Sequence, residues 1–502
     1  MDTNEARLES CIQTEDWETL LSILKPKFFP RAENGKLVNP LIVARISDAL
    51  TNSPRNVPMR VKIMLIKCLM NSCVNGYTPK EYDANTLTPM ESEDFYAALG
   101  RNYAKVSIGD STDEHGYPFL THFPYNGVAE WAADYVVQHL LDVRKLSDDE
   151  LELLRLCVQF LCNLCKYSPP AIHDERFKEA TMMLIRHDHF PVLRAACAFI
   201  HNVLTVCEEN YYSETAKNEL TILLIKPVKL GIPSATDALK YLLENPGRLQ
   251  NVYDKILIED RLYLLEFLLQ ELRNSELNLS QEVISFLSER FKKKSDLVLK
   301  TVNSYLDGTE PMEITILLDI LGVVTSRTSS SNYSNNLQED KSLLINCIFL
   351  LKSLHMVGRE SDNFFTPVQK LSELAPSGEN SSGHKTNDIQ SHPAFGFKAG
   401  LIRVIGNMVH KHKANQELLR ETDGIPLLLD CCNMDARNPL IMQWTILAMR
   451  NVCENNQSNQ DVVRGLNKIG VADSAVLHEM GLILHDEGKP GKAVGIVPLK
   501  RN

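Results

Sequence analysis

Apolar positions recur at helical spacing along most of this chain. Behind Ser147, the residues Leu154, Cys157, Val158, Leu161 and Cys165 fall at i, i+3, i+4, i+7 and i+11, which is one face of an α-helix. Ser147 and Glu150 have the spacing of a capping box, in which each side chain bonds the other residue's free amide. Apolar residues also fall off that face, and a helix apolar nearly all round lies between layers. Val192 to Cys207 reads the same way, and 59–75 is the first strongly apolar helix, ending near Asn71. A short amphipathic helix around Trp17 to Leu24, stopped by Pro26, reads as an N-terminal cap on a stack. Helical periodicity continues near 213–226, 234–245, 255–273, 280–292, 295–306, 311–325 and 340–356.

The pattern fails in three places. Residues 76–128 carry Thr78-Pro79, Thr88-Pro89, Gly109, Gly116 and Pro124, which predicts long loops around a short helix near Phe95 to Val106. Ser326 to Lys341 and Ala375 to Pro393 are rich in Ser, Asn and Gly and are expected not to pack. The tail after Asp486 is expected to fray.

Two C-terminal stretches are copies of one another: FKAGLIRVIGNMVHKHKANQELLRETDGIPLLL from Phe397 and IMQWTILAMRNVCENNQSNQDVVRGLNKIGVAD from Ile441. Asn407 and Asn451 are 44 residues apart, as are Asn415-Gln416 and Asn459-Gln460. Asn163 and Asn202 are 39 apart, and Asn202 is followed eight residues on by Asn210, as Asn407 is by Asn415. The Asn163 unit has Ala171 at that place. Helix-only repeats of about 40–47 residues point to an all-α, armadillo/HEAT-like, right-handed α-solenoid. From Asn202 to Asn407 is 205 residues, roughly five repeats' worth. The expected organisation is a main stack over 1–325, a connecting segment over 326–394 with one helix near 340–356, a C-terminal module over 395–486 and a flexible tail over 487–502.

At 502 residues the chain exceeds one globular core, so it forms several domains or one continuous stack. The net charge of −11 repels a phosphate backbone, which argues against nucleic acid as a general partner. Lys292-Lys293-Lys294 reads as a solvated helix face. The opening MDTNEARLES has no apolar core of a secretory signal, and no run approaches about 18 continuous apolar residues, so no membrane insertion is expected. Most of the twelve cysteines sit inside apolar helical runs, the habit of reduced thiols in a cytoplasmic protein.

The ordered words GLIRVIGNMV, NQELL, DGIPLLLDCCNMD, NPLIMQWTILAMRNVCENNQSNQDVV and GVADSAVL, from about Phe397 to Leu484, resemble the C-terminal domain of the ataxin-10 family. The rest of the chain is similar to that family in length and helical-repeat character. The resemblance implies an armadillo-like scaffold without enzymatic activity. It implies roles in neurite outgrowth and neuronal survival, cytokinesis, and centrosome- or cilium-linked signalling. It also implies self-association, signalling or cytoskeletal protein partners, and a cytoplasmic, perinuclear, centrosomal or midbody location.

Candidate site residues follow from the repeat. Asn163, Asn202, Asn407 and Asn451 each stand late in an inner helix. Their amides can face a groove and hold the backbone of an extended peptide, or they can bond helix ends. Trp444, on the helix of Asn451, is either an aromatic wall or core. Arg403 and Arg450 can clamp acidic partner groups or form surface salt bridges. Cys162-x-x-Cys165, His187-x-His189 and His410-x-His412 are incomplete as metal sites, since a structural zinc needs four ligands. No GxSxG, P-loop, HExxH or Gly-rich dinucleotide turn is present, so neither catalysis nor a cofactor is expected. Thr78 and Thr88 precede proline in predicted loops and are candidate phosphorylation positions. The functional expectation is a protein-interaction scaffold. The alternative is an importin-like receptor or chaperone for linear peptides, which predicts the asparagine mark in many consecutive units.

Overall fold

The computed structural model describes residues 3–26, 40–51, 57–73, 125–141, 146–165, 170–207, 210–275, 277–301, 309–327, 336–368, 392–466, 482–485 and 495–498. Among the described residues the chain is all-α apart from one pair of short strands, and it divides into two compact units, Met1–Leu243 and Glu244–Asn502. Thr78, Thr88, the expected helix near 95–106 and most of both serine-rich segments lie outside the described residues.

The first unit contains α1 (Thr3–Gln13), α2 (Trp17–Ile23), α3 (Pro40–Thr51), α4 (Met59–Cys73), α5 (Asn126–Leu141), α6 (Asp148–Leu164), α7 (Glu175–Leu184), α8 (Phe190–Val206), α9 (Glu214–Leu223), α10 (Ile225–Lys229) and α11 (Pro233–Glu244). Its spine is α4 against α6 and α6 against α8, with α5 and α7 on the outside of that row. The spine helices are apolar nearly all round because they touch neighbours on several sides. On α6 the residues Leu153, Leu154, Leu156, Cys157, Val158, Phe160 and Leu161 are fully buried. Each such leucine or phenylalanine contributes about 1.5–3 kcal/mol relative to exposure. The capping box at the start of α6 forms as its spacing predicts: Ser147 N donates to Glu150 Oε2 at 2.8 Å and Glu150 N to Ser147 Oγ at 3.4 Å.

The second unit contains α12 (Arg248–Tyr253), α13 (Ile258–Arg273), α14 (Gln281–Lys294), α15 (Thr309–Thr325), α16 (Lys341–Glu360), α17 (Phe397–Met408), α18 (Lys413–Glu421), α19 (Gly424–Asp430), α20 (Ile441–Cys453) and α21 (Gln457–Gly465). Its spine runs α13, α15, α17, α20, each packed on the next, with α14, α16, α18, α19 and α21 outside. Glu313 on α15 is completely buried, yet it is paired: it accepts from Tyr253 Oη at 2.6 Å and from Arg261 Nη2 at 3.2 Å. Those bonds fasten α12 and α13 to α15 and satisfy a charge that burial would otherwise penalise.

The segment after α16 turns back sharply. Lys398, itself buried, donates Nζ to Phe365 O at 3.0 Å and lies 3.5 Å from Asp435 Oδ2. Arg437 Nη1 donates to Thr366 O at 2.9 Å. The return depends on Gly358, where a methyl group would lie 2.3 Å from Phe365 O.

The structure departs from the sequence expectations in several places. The helices α1, α3, α5, α7 and α12 were not expected. The predicted helix at 295–306 is a 3-10 turn over Ser295–Thr301. The serine-rich segments were expected not to pack, yet the end of the first forms a 3-10 turn, Asn336–Glu339, with Leu337 buried, and His392 and Pro393 at the end of the second are buried. Apolar or hydrogen-bonding residues at the segment ends outweigh the average composition there. Within the tail expected to fray, Gly495–Pro498 (GIVP) forms a strand antiparallel to Leu482–His485 (LILH). The helix α16 is long and apolar enough by composition to cross a membrane, where no such stretch was expected. Here it is a packed helix, with Leu343, Leu344, Cys347, Ile348, Leu351 and Leu354 buried against the unit.

Gly358→Ala tests the turn after α16. Alanine is the better helix former by about 1 kcal/mol, but the collision is with backbone, so the clash wins. The expected outcome is a loss of about 1–3 kcal/mol, read as a lower urea midpoint by circular dichroism.

Candidate functional site

The repeat asparagines meet the spine at one defined place. Asn163 Nδ2 donates to Met70 O at 3.3 Å, and Asn202 Nδ2 to Cys162 O at 3.3 Å. In the second unit Asn407 Nδ2 donates to Gly322 O at 3.3 Å and Thr325 Oγ1 at 3.0 Å, and Asn451 Nδ2 to Gly406 O at 2.9 Å. Where the preceding spine helix carries a repeat asparagine, the accepting carbonyl belongs to the residue just before it: Cys162 before Asn163, and Gly406 before Asn407. Met70 precedes Asn71, whose own amide reaches Pro26 O at 3.2 Å. All four acceptors lie in the last turn of a spine helix, where carbonyls lose the amide of a continuing helix; Cys162 O also accepts from Cys165 N, and Gly322 O from Thr325 Oγ1.

The Asn-Gln pairs serve the same carbonyl rows from the outer layer. Asn415 Nδ2 donates to Met408 O at 3.0 Å and Asn459 Nδ2 to Val452 O at 2.8 Å, each closing the spine helix just before it. Gln416 Nε2 reaches forward to Asn451 O at 2.9 Å and Glu454 O at 3.2 Å. Gln338 Nε2 makes the equivalent pair of bonds one repeat earlier, to Asn407 O at 3.2 Å and His410 O at 3.1 Å. Asn415, Gln416, Asn451 and Asn459 are buried. The turns between spine and outer helix repeat too, with left-handed backbone at Lys411 and Asn455, followed by His412 and Asn456 as side-chain N-caps.

The amides thus bond neighbouring helix ends, and Asn451 is buried, while Asn163, Asn202 and Asn407 remain partly exposed. Asn210, the expected second mark, is exposed, and the unit is closed instead by Tyr211 Oη donating to Ile172 O at 2.5 Å. Sequence reading missed Gln338 because it lies in a segment judged by composition; its signal was Leu337-Gln338 in the place of Asn-Gln. It also missed Arg327, which donates to Leu272 O and supplies the cross-helix bond where α15 has Val323 at the asparagine position.

Gly400, Arg403 and Asn407 form the only stripe of α17 that is not fully buried, and Trp444 and Leu447 continue it on α20. The Arg403 guanidinium lies 5.1 Å from the Trp444 ring centroid. Trp444 is half-buried, neither sealed core nor free wall, and Arg450 is exposed. Burial pushes the Arg403 pKa down, while Asp319 raises it and Arg273 lowers it further.

The cysteine and histidine pairs do other work. Cys162 accepts from Asn202 Nδ2 at 3.1 Å, and burial pushes its thiol up to about 12, far from a thiolate ligand. His187 Nδ1 accepts from the His189 backbone N at 2.9 Å, and His412 Nδ1 caps α18. All twelve cysteines are free, and no group of three His, Cys, Asp or Glu side chains suited to a metal ion occurs among the described residues.

Comparison with known proteins finds similarity in the C-terminal module. Residues 397–494 match the spinocerebellar ataxia type 10 protein domain. The chain is 36% identical to Ataxin-10 of Xenopus tropicalis over 244 residues, 47% of this chain and 47% of that protein. It is 32% identical to Ataxin-10 of Homo sapiens over 254 residues, 49% of this chain and 50% of that protein. An Ataxin-10 homolog of Dictyostelium discoideum is 42% identical over 87 residues, 17% of this chain and 14% of that protein. The chain thus spans about half the length of the vertebrate relatives it matches.

Replacing Asn407 and Asn451 together with alanine separates the two readings of the asparagines. Orphaning buried helix-end carbonyls costs about 1–3 kcal/mol per site. The expected outcome is a lower unfolding midpoint with partner capture unchanged when measured well below that midpoint. Peptide-binding asparagines predict the reverse.

Proposed function

We propose that this chain, whose residues 397–494 match the spinocerebellar ataxia type 10 protein domain, is a non-enzymatic scaffold that acts through protein–protein contacts. The observation that carries this reading is the spine of each unit, taken by itself. Successive helices are tied end to end by side-chain amides, which builds a row of aligned helix faces with a partly exposed stripe of mixed chemistry. Such a surface suits the holding of partners. Buried free thiols favour a reducing compartment, consistent with a cytoplasmic site of action. Within the same proposal stand the finer roles: cytokinesis, neurite outgrowth and neuronal survival, centrosome- or cilium-linked signalling, and self-association. The importin-like reading has less support, because the asparagine donors it requires are engaged by neighbouring helices.

Cross-linking mass spectrometry on the full-length chain in cell extract tests the scaffold reading. Partner peptides are expected on Lys411 and Lys413, exposed at the turn into α18, in preference to Lys62 and Lys178 of the first unit. Sedimentation velocity at rising concentration is expected to show a second, heavier species. A chain that sediments as a single inert monomer and acquires no recurring cross-link would contradict it.

A further inference from the structure

Arg403 is held in place on both sides. Trp444 on α20 supplies a ring face on one side. On the other, α15 presents Gly322, whose missing side chain makes room: a Cβ there would stand 3.3 Å from both Cδ and Nη1 of Arg403. Yet the guanidinium has no counter-charge of its own. Among the described residues none accepts a hydrogen bond from it or lies within ion-pair distance, and its Nε is buried and unbonded. The acidic group that acts on it from α15, Asp319, is instead paired with Arg273 at 3.5 Å. A partly desolvated, pre-positioned arginine without an acceptor is an unfavourable arrangement that an arriving anion relieves.

We propose that Arg403, stacked on Trp444, is a seat for a carboxylate from an acidic, extended segment of a partner protein. The inference rests on the scaffold reading above and names the chemistry of its partner. Arg273, Asp319 and Arg403 stand on the successive spine helices α13, α15 and α17, giving a plus–minus–plus sequence of side chains. A single carboxylate added beside Arg403 completes the alternation. A dianionic phosphate meets stronger repulsion from Asp319, so the site favours Asp or Glu over a phosphorylated residue. Trp444 offers apolar area to the residue next to the bound acid. The planar guanidinium, which stacks and forks at once, is suited to this role in a way that lysine is not.

The test is fluorescence anisotropy of a labelled oligoglutamate peptide on the full-length chain at low ionic strength, where partly exposed charge contacts are least screened. A peptide whose only charged side chain is one phosphoserine runs beside it. The expected result is salt-sensitive binding of oligoglutamate that falls about tenfold in Arg403→Gln, a loss near 1.4 kcal/mol. It falls to a similar degree in Arg403→Lys and is unchanged in Arg359→Gln. Asp319→Asn, which removes the neighbouring negative charge and leaves Arg403 in place, is expected to tighten binding, so the proposal stays testable if an Arg403 variant misfolds. Equal affinity of wild type and Arg403→Gln, no binding to wild type, weaker binding in Asp319→Asn, or preference for the phosphopeptide overturns the proposal. If the peptide fails while partner cross-links at Lys411 and Lys413 persist, the acidic seat is wrong and the scaffold reading stands; loss of both sinks the scaffold reading as well.

Discussion

A helix ends with carbonyl groups that its own backbone cannot satisfy. In a single-layer protein those ends reach water. Here they are covered by the next helix of the stack, where an unpaired carbonyl costs about 1–3 kcal/mol. Every repeat therefore has to bring a donor to the end of its predecessor, and that requirement shapes both sequence and packing. Asn451 supplies it for α17, Asn407 for α15, Asn202 for α6 and Asn163 for α4. Glutamines from the outer layer reach the same rows from the other side. Close approach of the backbones is part of the same device. A Cβ at Gly406 would stand 3.0 Å from Ala448 Cβ, so α17 and α20 meet through small residues at the level where the asparagine bond forms.

This constraint explains which parts of the fold were legible. Asparagine late in an apolar helix recurs because its reach and its donor are both needed, so the 44-residue repeat stood out at Asn407 and Asn451. The inner helices were legible from their nearly continuous apolar surfaces, and the capping box at Ser147 from its spacing. What escaped was chemistry carried by substitutes. Arg327 reaches Leu272 O from a different place on its helix than asparagine would, and Gln338 reaches α17 from a segment whose composition suggested no packing. The antiparallel pairing of Gly495–Pro498 escaped because four-residue strands carry little periodicity.

The candidate site was legible only in part. The sequence placed the right residues on the right helices, but it could not say whether the asparagine amides face a ligand or a carbonyl, since both uses need the same donor. Nor could it show that Arg403 has Trp444 on one side and a glycine on the other. That arrangement joins three helices whose residues are far apart in the chain: Gly322, Arg403 and Trp444. The contrast between them is informative. The asparagines bond to backbone and hold the spine together, whereas the arginine on the same stripe has no acceptor among the described residues.

The most direct measurement of the central claim is the pH dependence of the stability of Asn451→Asp. The swap keeps shape and replaces the donor that faces Gly406 O with an acceptor. At neutral pH the carboxylate and the carbonyl repel, and the variant is expected to be less stable than the parent by about 2–4 kcal/mol. Burial beside a carbonyl raises the folded pKa of this aspartate above its unfolded value near 3.9. The protonated acid can donate, so its stabilising contribution is fully present below the unfolded pKa and is lost as pH rises through the folded one. The gap between variant and parent is therefore expected to narrow as pH falls from 7 towards 4. A variant as stable as the parent at pH 7, or a gap that does not change with pH, would contradict the view that amide-to-carbonyl bonds hold the spine.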